Sequence, residues 1–171
     1  MPAAPRQLDG RWIAERLGEA LPGVVAGANE EWVEIDDARV VEALRWLRDD
    51  AEFDAAQLSS LCAVDRYDHF EVVYHLQSLD HNHQLVVKAL LNDHDDPSLP
   101  SAYPVYRGAL LQEREAYDLM GVHFAGHPDL RRIFLWEGFP GHPLRKDFLQ
   151  MEGHHPGLPN FPFEEPGKQV R

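Results

Sequence analysis

Cysteine is almost absent: Cys62 is the only one in 171 residues. It has no partner for a disulfide within the chain. An iron–sulfur cluster held by this chain alone is not expected either, because such clusters normally take four cysteine ligands. Long apolar runs are missing as well, and none approaches the roughly 20 residues that span a bilayer as a helix. Positive charge is scarce, with 16 Lys and Arg against 29 Asp and Glu and a formal charge of −13. That balance argues against nucleic acid or an anionic lipid surface as a partner held by a general field. No phosphate-binding glycine-rich loop, nucleophile elbow or basic–aromatic stripe appears. No apolar stretch of a signal peptide follows Met1. Asp9, Glu15 and Glu19 interrupt what would have to be a mitochondrial presequence, so a cytoplasmic location is expected.

The apolar content, 44%, is enough for the core of one domain with an appendage. The first segment predicts a helix: Asp9 as N-cap, Ile13, Leu17 and Leu21 on one face, Pro22-Gly23 as the stop. A short strand over 31–35 follows. Asp36 or Asp37 then caps a second helix that carries Val40, Val41, Leu44 and Leu47 and ends near Asp50. Strands are expected over 58–66, 70–77 and 85–91. In the second, Phe70, Val72, Tyr74 and Leu76 alternate with Glu71, Val73, His75 and Gln77, the period of a half-buried strand. The loop 79–83 suits a hairpin between the last two. Cys62 is expected to be a small buried hydrophobe on a strand.

These elements predict an α+β domain over 1–92, a small and mainly antiparallel sheet with two helices. A second region, 93–148, is expected to hold two short helices and an irregular ion-paired segment. Ser101 is a candidate cap for a helix through Arg107, with Gly108 as the break. The other helix runs from Ala109 to Met120 and ends at Gly121. Beyond it, Gly126, Pro128, Gly138, Pro140, Gly141 and Pro143 leave no room for long helices. The last region, 149–171, carries Pro156, Pro159, Pro162 and Pro166 and is expected to be an extended tail that orders only along a surface.

The densest charge pattern is Glu113-Arg114-Glu115 with Asp118 one turn on. A carboxylate on a partly apolar face needs a partner. Arg131, Arg132, Arg145 and Lys146 are the candidates, through bidentate Arg–carboxylate pairs. The alternatives are a solvated helix face laced with i,i+4 pairs and a catalytic acid/base pair of Glu113 and Asp118. Ten histidines raise a metal reading. His81 and His83 with His94 and Asp95 form one candidate set, and His123 with His127 at one-turn spacing forms another. Gly121, Gly126 and Pro128 count against a helix at the second set, and surface histidines are the simpler reading of both.

Three blocks carry a resemblance. They are Glu113-Arg114-Glu115-Ala116-Tyr117-Asp118-Leu119-Met120-Gly121, then Phe124 with Gly126-His127-Pro128-Asp129-Leu130-Arg131-Arg132-Ile133, then Gly141-His142-Pro143-Leu144-Arg145-Lys146-Asp147-Phe148. Together they resemble the family of the C subunit of respiratory complex I, the bacterial counterpart of the mitochondrial 30 kDa subunit. The match covers 96–148 and keeps the family's order and spacing. Two departures stand out: Gln112 where the family usually has tryptophan, and Leu135-Trp136-Glu137-Gly138-Phe139-Pro140 in place of its usual linker.

The resemblance implies a non-catalytic, cofactor-free structural subunit of the peripheral arm. It would dock on the quinone-site D subunit, near the iron–sulfur B and I subunits, at the cytoplasmic side of the bacterial inner membrane. FMN, iron–sulfur clusters, NADH and quinone would belong to the parent complex. Glu113, Arg114, Glu115, Tyr117, Asp118, Gly121, Gly126, His127, Pro128, Leu130, Arg131, Arg132, Ile133, Gly141, Pro143, Leu144, Arg145, Lys146 and Asp147 would be structural or interface residues. A ferredoxin-fed or hydrogenase-type sister complex carries closely similar subunits. The alternative from another class is a stand-alone histidine-rich metal enzyme.

Overall fold

Apolar residues spaced for one helical face open the chain, and they pack where that spacing predicts. The computed structural model describes residues 4–148. The expected proline-rich tail over 149–171 lies outside the described residues. Helix α1 (Gly10–Ala20) is capped by Asp9, whose side chain accepts the Arg11 N–H. It buries Ile13 and Leu17. A 3-10 turn (Asp37–Arg39) capped by Asp36 leads into α2 (Val40–Asp49), which buries Val40, Ala43, Leu44 and Leu47. Ala43 takes the core place expected of Val41, which is only partly buried.

The sheet is mixed and has six strands. Strands β2 (Val25–Ala28), β3 (Val33–Ile35), β6 (His83–Leu91), β5 (Phe70–Ser78) and β4 (Gln57–Asp65) lie side by side in that order. The two-residue β1 (Arg6–Gln7) also pairs with β6. The β5–β6 hairpin is antiparallel, as expected, and so are the β2–β3 and β4–β5 pairs, while β1 and β3 both run parallel to β6. Alternation is strict in β6, where His83, Leu85, Val87, Ala89 and Leu91 all face inward.

Strand β4 changes register between Leu58 and Ser60. The extra residue lets both Leu58 and Leu61 reach the core although they are three apart. It also turns Cys62 outward. Cys62 is exposed, not the buried hydrophobe its strand position suggested.

The stretch 101–107 is not the expected helix. Its backbone makes tight turns, with the Val105 and Tyr106 N–H groups both donating to the Ala102 carbonyl. Pro104 interrupts it, and Ser101, the expected cap, accepts the Tyr103 N–H while giving its O–H to Glu113. Helix α3 (Ala109–Met120) has the expected bounds and closes on left-handed Gly121, whose N–H reaches the Tyr117 carbonyl. Two short strands flank this region and pair in parallel, β7 (Ser98–Pro100) with β8 (His123–Ala125). Leu99, Ala102, Tyr106, Ala116 and Phe124 join the same core as the sheet and the first two helices. Among the described residues no helix is long and apolar enough to cross a membrane.

Candidate functional site

Helix α3 lies against β4, and Gln112 makes the contact specific. Its side-chain carbonyl accepts the Leu61 N–H beyond the β4 bulge, while its amide donates to the Gly108 carbonyl. A polar side chain at this position therefore covers an edge strand whose N–H would otherwise need water.

The two buried carboxylates of α3 grip different segments. Asp118 is fully buried. One of its oxygens accepts three consecutive backbone N–H groups, from Ile133 at 2.9 Å, Phe134 at 2.7 Å and Leu135 at 3.0 Å. The other accepts Arg132 Nη1 at 3.0 Å. Burial alone would push its pKa up. The N–H groups of Leu135, Phe134 and Ile133, with Arg132, outweigh that and hold it below the ordinary aspartate range. Arg132 also donates to the carbonyls of Phe139 and Gly141. One carboxylate and one guanidinium thus fold the chain from 132 to 141 around the end of α3, in backbone with no regular hydrogen bonding of its own.

Glu113 is equally buried but faces the other way. It accepts the Ser101 hydroxyl and the Ala102 N–H, both at 2.6 Å. Among the described residues the expected arginine or lysine partner is missing. Burial dominates, and the carboxyl is pushed up to about 7 in spite of its two donors. Glu115 is exposed. Arg114 turns to backbone, donating to the carbonyls of Arg131 and Arg132 and lying 3.7 Å from Asp129. A bidentate Arg–carboxylate lattice is therefore not what holds this region. Single carboxylates cage N–H groups, and arginines gather carbonyls.

The basic block 145–146 is tied to the sheet and not to α3. Arg145 donates to Nδ1 and to the carbonyl of His94, which leaves Nε2 of His94 as the protonated nitrogen facing Asp65 at 3.1 Å. Asp65 also accepts the Lys146 backbone N–H, a contact spanning 81 residues of sequence. The Lys146 ammonium lies 4.1 Å from the Tyr67 ring centre. Arg131 is exposed, and its guanidinium pairs with its near neighbour Asp129. Asp147 pairs with Arg145 at 3.3 Å.

The remaining expected residues fall around these anchors. His127 donates through Nε2 to the Leu110 carbonyl and accepts the Asp129 N–H at Nδ1. Tyr117 meets His142 edge-on, and His142 bonds the Asp118 carbonyl at 2.9 Å. Gly121 and Gly126 both take left-handed backbone. Pro128 is exposed, Pro143 and Ile133 are half-buried, and Leu130 packs on the core. The Leu144 N–H donates to the Leu119 carbonyl, which turns the Leu144 side chain outward. Ser101, Asp65 and His94 were not singled out as anchors from sequence, since each acts through a residue distant in the chain.

The result is a well-fixed irregular segment that displays apolar side chains. Phe134 is 62% exposed, Leu144 57% and Trp136 41%. The metal sets do not assemble. His81 and His83 stack, but each Nε2 donates to a carbonyl, of Ala51 and Phe53 respectively, while His94 is held by Asp65 and Arg145. His123 sits on a strand beside Ser98 and not on a helix with His127. Among the described residues no cluster of three or more His, Cys, Asp or Glu is placed to hold a metal ion. Nor do Glu113 and Asp118 form an acid/base pair, because their oxygens are occupied by separate sets of donors.

Residues 33–154 match the family described as the 30 Kd subunit of respiratory-chain NADH dehydrogenase. The chain belongs to that family. Among its curated relatives is the C 2 subunit of the NADH-quinone oxidoreductase of Rhizobium etli, 40% identical over 90% of this chain and 82% of that protein. The C subunit of the same enzyme from Maricaulis maris is 44% identical over 81% and 70% of the two chains. Its namesake from Roseiflexus is 42% identical over 82% and 84%. Among solved structures, a chain of an archaeal membrane-bound sulfane sulfur reductase shares the fold, with a TM-score of 0.62 at 23% identity over 94% of this chain and 98% of that one.

Proposed function

We propose that this member of the 30 Kd family is a non-catalytic peripheral-arm subunit of a proton-translocating NADH–quinone oxidoreductase. It docks on the quinone-site D subunit, close to the iron–sulfur B and I subunits, at the cytoplasmic face of the bacterial inner membrane. FMN, iron–sulfur clusters, NADH and quinone belong to its partners. The names of the relatives support the parent complex. The observation that supports a docking role is the way Asp118 and Arg132 fix 132–141 while Phe134, Trp136 and Leu144 stay exposed. Irregular backbone is costly to order. Here a buried carboxylate orders it and leaves apolar groups facing outward, which suits a permanent interface.

The test uses the exposed side chains, so that the fold is spared. Phe134→Asp with Leu144→Asp should leave the thermal transition of the full chain within a few degrees and deplete assembled complex in membranes. Full assembly of the double variant would overturn the docking reading. Purified free of partners, the chain should show no flavin or iron–sulfur absorption and no NADH oxidation.

A further inference from the structure

The docking role leaves one buried group unexplained. Glu113 has no exposed surface, and among the described residues no lysine or arginine lies within ion-pair distance of it. Its two donors are a hydroxyl and one backbone N–H, from Ser101 and Ala102. Two titratable groups face it from neighbouring elements. His127, after β8, approaches to 3.9 Å. Its Nε2–H is directed at the Leu110 carbonyl and its Nδ1 accepts the Asp129 N–H, so both ring nitrogens are already engaged. Tyr74, from β5, is fully buried, and among the described residues its hydroxyl has no hydrogen-bond partner. The Glu113 charge raises the Tyr74 pKa further above the level that burial sets. A carboxylate here would be a buried anion with no lysine or arginine beside it among the described residues, next to a phenol whose ionisation burial opposes.

We propose that Glu113 is an internal proton-binding site that couples the packing of turn 101–106 against α3 to the pH of the surroundings. Protonation moves one H⁺ from water onto Glu113 Oε2 and reverses one hydrogen bond: the carboxyl O–H then donates to Ser101, whose own O–H turns away from it. The Ser101 oxygen, which already accepts the Tyr103 N–H, has a second lone pair for the new O–H. The folded carboxyl, pushed up to about 7, lies above its ordinary value of 4.5, so the fold holds the proton more tightly than the unfolded chain does. Its contribution to stability is fully present below the unfolded value. It is lost as pH rises through about 7. Loosening on the alkaline side would fall on turn 101–106, which Glu113 ties to α3 through its side-chain contacts.

The experiment is a carbon-13 titration of the glutamate carboxyls in the full-length chain. One resonance should titrate near neutrality, about two pH units above the others, and should vanish in Glu113→Gln. Ser101→Ala, which removes a donor that favours the charged form, should move that midpoint higher and serves as the second variant if Glu113→Gln folds poorly. The urea midpoint of the wild type should fall between about pH 6 and about pH 8.5, and that of Glu113→Gln should stay level. All glutamates titrating in the ordinary range would overturn the proposal. So would a near-neutral resonance that persists in Glu113→Gln or ignores Ser101→Ala.

Discussion

Asp118→Asn changes one atom type and almost no volume, yet it removes the charge around which 132–141 is folded. In the native chain the carboxylate accepts three backbone N–H groups and Arg132. Hydrogen bonds to a charged acceptor contribute about 1.5–3 kcal/mol each against about 1 for neutral ones. The amide can keep some N–H bonds, but its NH₂ must face either an N–H or the guanidinium. Breaking a buried ion pair on one side costs about 3–5 kcal/mol. Arg132 retains the Phe139 and Gly141 carbonyls and is 22% exposed, which places the cost at the lower end, about 3 kcal/mol. With a urea slope of about 2 kcal/mol/M, the midpoint of the full chain should fall by about 1.5 M. The pH dependence has a definite sign. Asp118 has a depressed folded pKa, so its contribution is present above the ordinary aspartate value and is lost as pH falls through the folded one. The difference between wild type and variant should therefore shrink only in strong acid. A midpoint shift below about 0.3 M, or a difference that grows on acidification, would refute the account.

Arg131→Ala, at an exposed pair, should change stability by less than about 0.5 kcal/mol in the same urea assay. Arg132→Ala and Arg145→Ala should lower the amount of assembled complex while the complexes that form keep near-normal quinone affinity. Full assembly with a large rise in quinone KM would place these residues in the substrate path. Gly121→Ala should cost about 2 kcal/mol, since the backbone is left-handed (φ +79°) and a Cβ would lie 2.7 Å from the His142 ring. A thermal transition within two degrees or so of wild type would contradict that geometry.

Much of the architecture is local and was legible without coordinates. The i, i+4, i+8 spacing of α1, the alternation of β5 and the breaker at Gly121 depend only on residues a few positions apart. The motif blocks identified the family for the same reason: order and spacing are properties of the chain itself. The short strands β1, β2, β7 and β8 were missed because two to four residues carry no period. They are strands only by virtue of the neighbour each one pairs with. The helix expected at 101–107 is replaced by tight turns: the Ser101 oxygen does accept the Tyr103 N–H, but the Ser101 hydroxyl and the Ala102 N–H are both drawn to Glu113, which only the fold brings to them. Composition showed that the carboxylates of α3 would need partners. It could not show that Asp118 would take three N–H groups and an arginine while Glu113, among the described residues, would take a hydroxyl and one N–H and no lysine or arginine. Burial and distance decide that assignment, and both arise only when segments far apart in sequence, such as Asp65 and Lys146, are brought into contact.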